Sequence, residues 1–138
     1  MMYRILVPLD GSDLADGALP MAAAIVDKSK GALAIVRVHL PSVPIGAVGD
    51  LGLPLYDPAW DEALKETAQT ALRAARDRIR ANWGLDAQAT VRTGADVGRE
   101  IEAAAEEFRA DMIVMTTHGH GGQSLAWLGS VADGVVRT

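Results

Sequence analysis

Apolar residues in this chain fall into short unbroken runs separated by longer stretches in which they recur every three to four positions. Ile5-Leu6-Val7 is the first run. It is short and β-branched enough to predict a strand, stopped by Pro8. Asp10-Gly11-Ser12 follows as a turn, with Ser12 placed to cap a helix. In that helix Leu14, Ala18, Met21 or Ala22, and Ile25 share one face. Pro20 predicts a kink there, because an interior proline removes a backbone hydrogen bond and crowds the preceding turn. Gly31 ends the helix, and Leu33 to Val38 predicts a second strand carrying a single charge, Arg37. Ala87 to Val91 and Met112 to Met115 predict the third and fourth strands.

The clearest helix precedes the third strand, where Leu64, Ala68, Leu72, Ala75, Ile79 and Trp83 form one apolar stripe. Arg73, Arg76 and Arg80 lie opposite and predict a solvated face rather than a partner surface. Asp61 with Lys65, and Arg73 with Asp77, have the spacing of ordinary helical ion pairs. Asp96 is placed to cap a further helix whose apolar side is Val97, Ile101, Ala105 and Phe108. Continuous apolar strands separated by helices predict an α/β fold, a parallel sheet covered on both faces. Leu40 to Pro58 breaks the pattern, with four of the six prolines and three glycines. The expectation is one domain over residues 1–138 with a flexible loop at about 40–58, readable equally as a ligand lid or as an insertion.

Composition narrows the function classes. A chain of 138 residues is one domain of ordinary size. Its net charge of -5 excludes a general binder of nucleic acid or anionic membranes. The absence of cysteine removes disulfides and thiolate metal sites, and fits a reducing cytoplasm, the expected location. No apolar run approaches the roughly eighteen residues of a membrane span, so a soluble, uncleaved chain is expected.

The chemistry concentrates after the fourth strand. Thr116-Thr117-His118-Gly119, nine further residues and then Gly129-Ser130 read as a strand opening into a glycine-rich loop that closes on a helix start. Backbone N–H groups in such a loop can hold phosphate. Gly119, Gly121 and Gly122 allow close backbone approach, and Ser130 with Asp133 resembles a capping box. Ligands of open parallel sheets bind beyond the carboxyl ends of the strands, so the loop after the first strand faces this one. Its Asp10 is the natural acceptor for a ribose hydroxyl, with a nucleotide-borne magnesium ion as the lesser role and a plain turn residue as the bland one. His118 and His120 lack a third ligand by spacing, so no metal site is expected. No Walker lysine, serine elbow or cysteine nucleophile is present, and no catalytic residue is assigned.

Taken together, these segments resemble the universal stress protein family over nearly the whole chain, from Tyr3 to Thr138. The resemblance is carried by Ile5-Leu6-Val7-Pro8-Leu9-Asp10-Gly11-Ser12, by Ala110-Asp111-Met112-Ile113-Val114-Met115, and by Gly119, Gly129 and Ser130 followed by Val131-Ala132. It implies a doubly wound parallel sheet, adenine nucleotide alpha hydrolase-like, in the order 3-2-1-4, with the family's fifth strand missing from the end of this sequence. It implies ATP, or ADP or AMP, as ligand, with magnesium accompanying the nucleotide. Adenine would lie near Pro8, Leu9 and Val38, ribose near Asp10 and Thr116, and phosphates near Gly119, Gly129, Ser130 and Val131, with Met115 in the same set. Two positions depart from the family pattern. Thr116 stands at the first glycine of its motif, and His120 where relatives often carry Arg or Lys, which implies modest triphosphate affinity or competition by AMP-like ligands. The implied function is an adenine-nucleotide-binding regulatory protein of the stress response, a homodimer with a protein partner that the residues do not name. A nucleotide-free interaction or dimerisation module is the alternative, and slow ATP hydrolysis the enzymatic reading.

Overall fold

A computed structural model describes residues 2–10, 17–41 and 58–116. Strands and helices alternate: β1 (Arg4–Pro8), α1 (Leu19–Ser29), β2 (Ala32–His39), α2 (Pro58–Trp83), β3 (Gln88–Thr93), α3 (Val97–Phe108) and β4 (Met112–Ile113). All the paired strands run parallel, and the sheet order is β3-β2-β1-β4. This is the parallel sheet expected from the continuous apolar runs, in the doubly wound order that the family resemblance implies.

Alternate residues of each strand feed two separate cores. Ile5, Val7, Leu9, Leu33 and Ile35 pack with Leu19, Ala22 and Val26 of α1 and Leu72, Ala75 and Ile79 of α2. Leu6, Ala34 and Val36 pack on the opposite face with Ile101, Ala104 and Phe108 of α3. Both sheet faces are thus buried, which explains why the strands read as unbroken apolar runs. Arg4 fastens the end of α3 to β1: its Nε donates to the Phe108 carbonyl at 2.8 Å, and its guanidinium lies 4.2 Å from the centre of the Phe108 ring.

Several local expectations are corrected. Pro20 makes no kink, because it sits in the first turn of α1, where a backbone N–H has no intrahelical partner to lose. Pro8 ends β1 from within, as its last residue, level with Val36. Even-numbered residues of β1 bond toward β4, as the Val114 N–H to Leu6 carbonyl bond shows, and the β4 ladder has ended at that height. A proline there costs no sheet hydrogen bond. On α1 the buried choice is Ala22, fully enclosed, while Met21 is 63% exposed. Leu64 and Trp83, at the two ends of the α2 stripe, are also exposed. That helix has 26 residues and outruns the strands it covers. On α3 the buried alanine is Ala104, with Ala105 partly buried beside it.

Other expectations hold. Asp96 caps α3, its Oδ1 accepting the Arg99 N–H at 3.2 Å. Gly31 follows α1 after Lys30, which closes the helix in the left-handed region at φ 57. Ser12, the loop at about 40–58 beyond Pro41, and the chain end where a fifth strand was expected to be missing all lie outside the described residues. No helix among the described residues is long and apolar enough to cross a membrane.

Candidate functional site

The winding of the sheet reverses between β1 and β4. Helices α1 and α2, which follow β1 and β2, cover one face, whereas α3, which leads into β4, covers the other. A crevice at the carboxyl ends of β1 and β4 is the geometric consequence. Pro8, Leu9 and Asp10 end β1, Val38 lies one residue from the end of β2, and Met115 and Thr116 follow β4. The register pairs Ile5 with Met112 and Arg4 with Ala32. Continued upward, it sets Pro8 level with Met115, Leu9 with Thr116, and Asp10 with Val38. Six of the ten residues named from the sequence therefore meet on one sheet edge. Gly119, Gly129, Ser130 and Val131 lie outside the described residues.

The six do not play equivalent parts. Leu9 is only 6% exposed and belongs to the core under α1 and α2, with its N–H donating to the Val36 carbonyl at 2.8 Å. Its side chain is core and not a pocket wall. Pro8 and Val38 share the α3 face of the sheet by strand alternation, and Val38 packs against the same core as Val97 at the start of α3. Pro8, Val38, Met115 and Thr116 are half-buried, the partial exposure that a ligand wall needs. Asp10 is half-buried too, with its Oδ2 out of contact with water. A carboxylate between apolar walls can accept hydrogen bonds from hydroxyls while a flat apolar group lies against Pro8 and Val38. Among the described residues, no three His, Asp or Glu side chains gather as a metal cage.

One neighbouring pair escaped the sequence reading. His39, next to Val38, is 7% exposed, and its Nε2 lies 2.8 Å from Oδ1 of Asp61 in the first turn of α2. Asp61 was expected to serve a surface pair with Lys65; it is instead buried and holds His39. The signal was present: Asp61 lies seven residues before Ala68, in register with the buried stripe, and an acid there requires a buried partner. A carboxylate in a first turn also faces the positive end of its helix.

A parallel, doubly wound sheet with an acid in a half-apolar crevice at its switch point has the layout of nucleotide-binding α/β proteins. The chain belongs to the universal stress protein family, whose model matches residues 1–138. It is 33% identical to Universal stress protein MJ0531 of Methanocaldococcus jannaschii, over 97% of this chain and 75% of that protein. Among solved structures it resembles a universal stress protein family member from Burkholderia pseudomallei, with a TM-score of 0.70 at 27% identity over 98% of this chain and 88% of that one. It also resembles a universal stress protein crystallised in complex with cAMP, with a TM-score of 0.69 at 25% identity over 99% and 91% of the two chains.

Proposed function

We propose that this protein is an adenine-nucleotide-binding regulatory member of its family, taking ATP, ADP or AMP at the crevice between β1 and β4. The observation that carries the reading is Asp10, half-buried with one carboxylate oxygen enclosed, at the switch point between Pro8 and Val38 on one side and Thr116 on the other. In this reading Pro8 and Val38 flank the adenine ring, and Leu9 supplies backbone and core support. Asp10 accepts a ribose hydroxyl, with Met115 and Thr116 closing the opposite wall. Gly119, Gly129, Ser130 and Val131 would then supply phosphate contacts, and magnesium would arrive with a triphosphate. The related structure in complex with cAMP supports an adenine ligand for this fold.

Thr116 favours a second reading. A Cβ stands where the family motif has its first glycine, which suits an interaction or dimerisation module that keeps the fold without the ligand.

Calorimetric titration with ATP, ADP, AMP and cAMP separates the two. The first reading expects saturable binding of at least one, weakened about tenfold or more by Asp10→Ala, since a hydrogen bond to a charged group contributes about 1.5–3 kcal/mol. No binding of any of the four at millimolar concentration removes it. Native mass spectrometry of the fresh protein would then show a bare homo-oligomer, as the second reading requires.

A further inference from the structure

The edge of the sheet away from the crevice is formed by β3, and its backbone is open in a regular way. In a parallel pair, the N–H and C=O of one residue point to one neighbour and those of the next residue to the other side. The Gly94 N–H donates to the His39 carbonyl at 3.2 Å. By that alternation Gln88, Thr90 and Arg92 bond to β2, while Ala89, Val91 and Thr93 turn their N–H and C=O groups outward. Among the described residues nothing pairs with them. An edge of this kind is a template for another strand.

The same residues line a groove. Ala89 and Val91 form it with Gln69, Leu72, Arg73 and Arg76 of α2, enclosing about 170 Å³. Arg73 and Arg76 are exposed and form no ion pair among the described residues, although Asp77 stands at helical spacing from Arg73. Other arginines nearby are engaged: Arg80 lies 3.7 Å from Asp86, and Arg92 is held by Glu100 at 3.0 Å and Glu107 at 2.9 Å on the α3 side. The α2 wall of the groove therefore carries two exposed arginines without an ion pair among the described residues, beside the open backbone, and Arg37 of β2 stands level with Val91 next to them.

We propose that β3 and this groove bind an extended, acidic segment of a partner protein, which adds as a strand to the β3 edge and sets its carboxylates on Arg73 and Arg76. Main-chain hydrogen bonds supply the docking and the alternate side chains supply the selection. A second copy of the chain fits less well. Antiparallel pairing of two β3 edges about a two-fold axis would place α2 beside its copy and bring the arginines of both together, like charge against like.

The test uses the whole chain and a fluorescein-labelled peptide of alternating Glu and Val, long enough to lie along β3. Fluorescence anisotropy is expected to show saturable binding that falls about tenfold with Arg73→Glu plus Arg76→Glu, two exposed pairs reversed in sign. The Val91 N–H points outward, so Val91→Pro removes an edge donor without breaking a bond to β2, and is expected to weaken binding similarly. Hydrogen exchange is expected to slow at Ala89, Val91 and Thr93 on binding, with little change at Thr90 and Arg92. The proposal is overturned by equal affinity for a Lys and Val peptide, or by tighter binding of a single-stranded oligonucleotide of the same charge. It is also overturned by binding that the arginine reversals leave intact, by binding without protection of those three amides, or by a dimer that Val91→Pro dissociates.

Discussion

The pair His39 and Asp61 shows how much one side chain contributes when both partners are enclosed. Their side chains are 6% and 12% exposed, so neither can exchange its partner for water without local opening. Asp61→Ala leaves a buried ring nitrogen without its acceptor, and the expected loss is about 1–3 kcal/mol of folding stability. Asp61→Asn keeps an oxygen in place and is expected to cost less. Urea denaturation read by circular dichroism orders the two variants, and equal stability of Asp61→Ala and the parent overturns the assignment. Leu9 teaches the converse at the same scale. The family resemblance set it near adenine, yet strand alternation turns its side chain into the core under α1 and α2. The placement of Asp10 and Val38 at the crevice was legible because each lies near the carboxyl end of a recognisable strand; the pairing of His39 was not, because its partner lies 22 positions away.

Elements are governed here by their ends. The stripes along α2 and α3 were legible, since burying one helical face needs only the right residues at the right spacing. Where the stripes stop depends on what lies beneath, and so Leu64 and Trp83 are exposed although they match the period. Pro20 was misread for the same reason: its effect depends on whether it stands in a first turn or an interior one, and the start of α1 at Leu19 decides that. The junction of α1 with β2 is tight. A Cβ on Gly31 would strike the backbone of Tyr3, whose carbonyl accepts the Ala32 N–H at 3.0 Å as the β1–β2 ladder begins. Backbone cannot swing aside as a side chain does. Gly31→Ala is therefore expected to destabilise the protein by about 1–3 kcal/mol, the usual range for overpacking, with thermal unfolding as the check and an unchanged melting temperature as the contrary result.

At the scale of the whole molecule, the sheet brings the ends of three strands to one edge although they are far apart along the chain. A ligand that touches β1, β2 and the residues after β4 binds only when all three are in place, so it stabilises the folded state by mass action. AMP or ATP at a hundred times its Kd is expected to add about 2.7 kcal/mol. For a chain of this size that corresponds to a rise of roughly 10 °C in melting temperature. Calorimetric binding without such a shift would place the nucleotide on a surface that unfolding does not disrupt. The opposite edge, β3, has its own consequence: a strand pattern predicts that a strand exists, not which strand is left unpaired.

The sequence by itself determined the alternation of strands and helices, the parallel sheet, the helix faces and the family, because these rest on local periodicity, end signals and motif spacing. Tertiary structure alone decided that Leu9 is core, that Asp61 holds His39, and that Ala89, Val91 and Thr93 turn open backbone outward beside Arg73 and Arg76. Each of these is a relation between segments distant in the chain, set by strand order and register, and no local pattern contains it.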